Sequence, residues 1–284
     1  MAKYSTVLAN EFNTIRNTVV AVLNTGTGTR SYGSPVVSAE VAVGQKITPS
    51  EFDVLKTDIN VCYNHIAGTD ATLDAVVKGG KITWAKIVTY QVAATYIDTN
   101  RDTNGGAKTS PSVVSTLPAG WGNDSGNRVA TVTGAFTWGS AEEMRYYFNQ
   151  SSSLSITGSG AATGGSSKSN AFGGLANSIS VPINAGTYRA GNGNSQHVDT
   201  ATAPYSTGTP SNIDVNITKG TASYNFTIVC TDKGGDDGDS DGIIVNSNID
   251  IPLNFTLATN NVSNTTGITK YTPTITVSAW SYAA

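Results

Sequence analysis

The chain opens an amphipathic run with the dipeptide Glu-Phe twice in its first seventy residues, and this repetition constrains the fold more than any other feature. Glu11-Phe12 opens a run to Leu23, and Glu51-Phe52, 40 residues further on, opens a second to Ile66. Val43-Gly44-Gln45-Lys46-Ile47-Thr48 precedes the second run, and Val77-Lys78-Gly79-Gly80-Lys81-Ile82-Thr83 returns 35 residues later, just before a third apolar run from Trp84 to Ile97. Tandem units of this length hide their apolar faces against one another. The pattern predicts a helical module of three related units over residues 1–108.

The second unit carries the fullest instructions. Thr48-Pro49-Ser50-Glu51 sets a capping hydroxyl, a proline at the first helical position and a carboxylate at the third, which satisfies amide groups that a helix start leaves open. Phe52, Leu55, Ile59, Cys62 and Ile66 follow at alternating spacings of three and four and fall on one face. Phe12, Ile15, Val19 and Val22 repeat the arrangement, and Trp84, Val88, Val92 and Thr95 form a looser stripe with Ile87 and Ile97 beside it. The stripes pack either as a bundle within one chain or as a coiled coil between copies. Each covers only about two heptads where a coiled coil sustains three or four, which favours the bundle.

Polar-apolar alternation takes over after Asn104-Gly105-Gly106. Residues 128–133, 154–157, 213–217, 223–230, 243–257 and 274–280 read as strands separated by Gly, Asn, Asp and Pro. The fold class is therefore α+β: an N-terminal helical repeat module followed, over 109–284, by an antiparallel β-sandwich-like domain. The strands around Phe226 and Ile249 are expected to pair as a hairpin. A short helix is inserted at 141–149, where Ser140-Ala141-Glu142-Glu143 forms a capping box. Its Met144, Tyr147 and Phe148, with Trp138 just before, are expected to be buried against the sheet as structural residues, as Phe12, Phe52, Leu55 and Ile59 are in the helical module.

Composition excludes several classes. Charged residues are 13% of the chain, about half the usual share of roughly 25%, and the scattered Lys and Arg give no basic stripe for nucleic acid. No segment approaches the roughly 20 apolar residues of a membrane span, and Met1-Ala2-Lys3-Tyr4-Ser5 does not begin a signal peptide. Cys62 and Cys230, one in each part, are expected to be buried thiols. Neither a membrane nor nucleic acid is an expected partner.

Ala141-Glu142-Glu143-Met144-Arg145-Tyr146-Tyr147-Phe148-Asn149, followed by Leu154-Ser155-Ile156-Thr157-Gly158, resembles a helix-then-strand signature of virion structural proteins of tailed bacteriophages, notably those of cyanobacterial and marine phages. Glu11-Phe12-Asn13-Thr14-Ile15-Arg16, Tyr32-Gly33 and Gly44-Gln45-Lys46-Ile47-Thr48 are similar to the opening of the same group. The resemblance covers about half of the chain. It implies a non-enzymatic component of the tail, baseplate, neck or fibre, assembled in the host cytoplasm into the virion. The partners it implies are other copies of the chain and other tail or neck proteins. A receptor-binding fibre or adhesin recognising a host surface polysaccharide is the alternative.

Sites for chemistry are few. Asp237-Gly238-Asp239-Ser240-Asp241-Gly242 matches the first half of a calcium loop, but Asn248 stands where the bidentate Glu would close it. Asp237, Asp239 and Asp241 are thus either a weak calcium site or an acidic hairpin tip that keeps an edge from sticking. Thr25-Gly26-Thr27-Gly28-Thr29 lacks the Gly-Lys-Ser/Thr ending of a phosphate loop. His65 reads as a solvated or hydrogen-bonded residue at a helix end, and His197 has neither a nearby Cys nor a nucleophile elbow to serve. No catalytic residue and no cofactor are expected.

Overall fold

A computed structural model of the chain describes residues 9–26, 30–122, 128–163, 167–199, 211–233, 248–262 and 267–283. They form an α+β protein with antiparallel sheets, and contacts divide them into two compact units. The first holds the described residues of 1–109 with Arg145–Ser152 and Asn261–Tyr271; the second holds those of 110–144, 153–260 and 272–284. The sequence places the whole of 141–149 in the β domain, whereas the contacts assign its second half to the helices.

In the first unit, α1 (Ala9–Leu23), α2 (Pro49–Ala67) and α3 (Trp84–Asn100) share one core, followed by the two-residue strand β1 (Lys108–Thr109). Helix α2 begins where Glu51 accepts from the Thr48 amide at 2.7 Å. It ends at Gly68, whose φ of 77° lets its amide reach the Asn64 carbonyl. The ring of Phe52 meets Phe12 and Tyr90 edge-on, each at 5.3 Å. The stripes of α1 and α2 therefore meet inside one chain.

Two expectations fail in this unit. Helix α3 buries Ile87, Tyr90, Ala93, Ala94 and Ile97, while Trp84, Val88 and Val92 are exposed. The stripe read from the sequence lies on the outer side, because α3 is apolar on two opposite faces and its spacing does not say which one turns inward. His65 is neither solvated nor hydrogen-bonded: it is 1% exposed, and neither ring nitrogen has a partner. Its ring packs on Tyr32 at 4.7 Å, and burial, with a smaller contribution from Lys108, pushes its pKa down to about 4.

The second unit contains β2 (Ser112–Leu117), β3 (Arg128–Thr137), the start of α4 (Ala141–Asn149), β4 (Ser153–Gly160), α5 (Ser167–Ser178), β5 (Ser180–Ile183) and α6 (Ala185–Arg189). There follow β6 (Asn194–Asp199), β7 (Asn212–Lys219), β8 (Ser223–Asp232), most of β9 (Leu253–Val262), β10 (Thr274–Val277) and β11 (Ser281–Ala283). One sheet sets β4 between β5 and β9, with β2 on the far side of β9; the other runs β3, β8, β7, β6, with β10 and β11 both along β3. Strands β7, β8 and β9 alternate buried with partly exposed residues, so Ile213, Val215, Phe226, Ile228, Phe255 and Leu257 all turn inward.

The hairpin expected around Phe226 and Ile249 does not form. Strand β8 has β3 along one edge and β7 along the other, so β9 has no edge of β8 to join and pairs instead with β4 and β2. Ile249 makes only an isolated bridge with Trp121. The strand expected over 274–280 stops at Val277, and a separate short strand follows only at Ser281; between them the Ser278 hydroxyl takes the Thr133 amide at 3.1 Å. Helix α5 was not expected. It lies on β4 so closely that a Cβ on Gly173 would fall 1.9 Å from the Ala161 carbonyl oxygen.

Candidate functional site

The helix over 141–149 is anchored in the first unit from Arg145 onward. It starts at Ser140, whose hydroxyl accepts from the Glu143 amide at 3.1 Å. One face then presents Arg145, Tyr146, Asn149 and Gln150, all buried. Arg145 Nη2 donates to the Gly26 carbonyl at 2.8 Å, and the Tyr146 hydroxyl donates to that of Thr25 at 2.6 Å. Asn149 Nδ2 donates to the Ser31 carbonyl at 2.9 Å, and Gln150 Nε2 reaches the carbonyls of Tyr32 and Thr269, both at 2.7 Å. Side-chain donors aimed at main-chain carbonyls fix a loop in place. The arrangement is a clamp on Thr25, Gly26, Ser31 and Tyr32.

In the second unit, Lys168 at the start of α5 meets Asp232 at the end of β8, Nζ to Oδ2 at 2.7 Å, with side chains 5% and 0% exposed. Ser211, just before β7, donates to Asp232 Oδ1 at 3.4 Å and accepts from the Lys233 amide at 3.1 Å. Ser169 takes the Asp250 amide at 2.9 Å. These groups hold α5, β7 and β8 together.

An open depression of about 360 Å³ lies among Gly120, Trp121, Arg128, Val129 and Tyr282. Trp121 is buried edge-on against Phe172, and its indole nitrogen has no hydrogen-bond partner. Arg128 and Tyr282 are exposed. A guanidinium beside an aromatic face suits a sugar or a carboxylate. Among the described residues, no Asp or Glu lines the depression.

His197 lies on the solvent face of the β6–β7 pair. Its Nδ1 is 2.5 Å from Asp214, and its Nε2 is 3.4 Å from Asp199. The hydrogen bond to Asp214, and then the nearby charges, raise the imidazole's pKa. A carboxylate therefore stands at each ring nitrogen.

The residues expected to be structural, Phe12, Phe52, Leu55, Ile59, Trp138, Met144, Tyr147 and Phe148, are all buried. Asp237, Asp239 and Asp241 lie outside the described residues. Among those described, no group of His, Cys, Asp and Glu is placed to hold a metal, and no helix is long and apolar enough to cross a membrane. Sequence reasoning missed Asp58, which sits on the buried side of α2 and accepts from the Val37 and Ser38 amides at 3.0 and 2.9 Å. It also missed the Lys168–Asp232 pair, for which no local spacing gives a signal. Comparisons of the chain with protein families, with curated proteins and with solved structures found no match.

Proposed function

We propose that this chain is a non-enzymatic structural component of a tailed-phage virion, with a helical repeat module and a β-sandwich-like domain working through protein-protein contacts. The observation that carries the reading is the use made of the signature segment. Arg145, Tyr146, Asn149 and Gln150 are all committed to main-chain carbonyls of the first unit, so the residues most like those of phage proteins serve rigidity. The buried polar groups of the second unit are used in the same way. Low charge supports the reading further, because a surface with few ions loses little hydration when a neighbour covers it.

The test is mass spectrometry of purified particles together with a density map. The chain is expected in several copies per virion, in contact with other tail or neck proteins over interfaces above roughly 1,000 Å². Its absence from intact particles would end the proposal. The depression at Arg128 and Tyr282 is the feature that favours a receptor-binding fibre instead. Binding of host surface polysaccharide that Tyr282→Ala abolishes would move the assignment to that reading, and binding that this change leaves intact would not.

A further inference from the structure

An amine and a carboxylate meet out of water in the second unit, and the two oxygens of the carboxylate are in different surroundings. Lys168 Nζ stands 2.7 Å from Asp232 Oδ2. The other oxygen, Oδ1, accepts from the Ser211 hydroxyl at 3.4 Å, and that hydroxyl is itself positioned by the Lys233 amide at 3.1 Å. Gly122 lies against Oδ2 so closely that a Cβ there would fall 2.7 Å from the oxygen, and Gly122 also lines the open depression beside Trp121. The oxygen that faces the amine therefore borders a glycine that borders an opening to solvent.

We propose that Lys168 and Asp232 condense into an amide, a covalent crosslink between α5 and β8. The Nζ–Cγ bond forms and the Cγ–Oδ2 bond breaks. Of the three protons on the ammonium, one stays on the amide nitrogen and two leave on Oδ2 as water, so the step needs no oxidant, reductant or co-reactant. While Cγ is tetrahedral, negative charge gathers on Oδ1, where the Ser211 hydroxyl donates. The water departs from Oδ2, on the side of Gly122 and the depression.

Two effects favour the amide at this place. In solution an amide gives way to separate ions because both ions are strongly hydrated, and burial withholds that hydration from Lys168 and Asp232. The fold also holds the groups together: α5 is packed on β4, and β8 is fixed between β3 and β7. Groups held with their reacting atoms about 3–3.5 Å apart react as though at very high concentration. With Nζ 2.7 Å from Oδ2, Cγ is one bond further. The ion pair is the form of the newly folded chain, and the amide follows it. The chain makes this bond alone, so the crosslink stands or falls separately from the virion assignment.

Intact-mass spectrometry of the full chain, followed over days at neutral pH, should find it becoming lighter by one water. A tryptic digest should then yield a branched peptide that joins the segments holding Lys168 and Asp232, with no cut after Lys168. An unchanged mass, with both residues recovered in linear peptides, would overturn the proposal on the unaltered chain alone. Lys168→Arg keeps the charge and removes the amine, so it should hold its full mass. A lost water that persists in that variant would place the loss elsewhere, as in a succinimide at Asp237-Gly238, and would equally overturn the proposal. Ser211→Ala should slow the change about tenfold, and an unchanged rate would overturn the geometry assigned to Oδ1.

Discussion

Tyr146 lies across Gly33 so closely that a Cβ on the glycine would fall 2.3 Å from the ring. Gly33 also has a φ of 75°, where a side chain is strained even with room to spare. Above it the Tyr146 hydroxyl holds the Thr25 carbonyl, and the Tyr271 hydroxyl holds that of Gly33 itself, each at 2.6 Å. Gly33→Ala is therefore expected to destabilise the first unit through overpacking, at about 1–3 kcal/mol, in addition to backbone strain. Urea unfolding measures it, and an unchanged midpoint would refute the clamp geometry.

His65 gives the first unit a dependence on pH. Its pKa is about 4 in the folded chain against an ordinary 6.5, so the neutral ring is favoured by folding. Its contribution is complete above pH 6.5 and is lost as pH falls from there to about 4, at up to about 1.4 kcal/mol per pH unit. The comparison is with His65→Leu, which removes the titrating ring. The difference in stability between the two chains should change across pH 6.5 to 4 and stay level above pH 7. A constant difference would mean that the ring is not buried.

Phe148 is fully buried and meets Tyr147 edge-on at 5.1 Å, and it belongs to the unit of the helices. Phe148→Ala should cost about 3–5 kcal/mol. Hydrogen exchange locates the loss: amides of α1 and α2 should lose protection before those of β3 and β8. The reverse order would return the segment to the β domain, as the sequence alone has it.

What the sequence made legible follows from how local each signal is. Helices α1 and α2 show their inner faces because Phe12 and Phe52 begin stripes with polar residues opposite. Helix α3 misleads because Trp84, Val88 and Val92 are as regular as the residues that are buried. The β8–β9 hairpin fails because adjacency in sequence says nothing of whether a strand's edges are already taken. Helix α5, Ser167 to Ser178, has no apolar stripe, and its Gly173 reads as a breaker until the closeness of Ala161 explains it. The clamp was visible as a capping box with aromatics, but its targets Thr25, Gly26, Ser31 and Tyr32 were not, since they are more than a hundred residues away.

The aspartates 237, 239 and 241 give a negative expectation. Three carboxylates without a bidentate closing residue hold calcium poorly, and Asn248 occupies the closing position. Calorimetry should show no binding in the micromolar range. Micromolar binding that Asp239→Ala removes would reverse this.

The Lys168–Asp232 pair makes the strictest demand on the second unit. Both side chains are out of water, and their separation is 2.7 Å, so each offsets most of the other's lost hydration. Asp232→Asn removes one charge, keeps the shape and takes this carboxylate away from the lysine ammonium. Breaking a buried pair in this way costs about 3–5 kcal/mol, while replacing both partners by apolar residues of similar volume is often neutral. Lys168→Met with Asp232→Leu should therefore be more stable than Asp232→Asn alone, although it carries more changes. Thermal unfolding of the two chains decides the matter. A double variant no better than the single would show that Lys168 and Asp232 are held mainly by their other neighbours, Ser211 among them, and that the ion pair is not what joins α5 to β8.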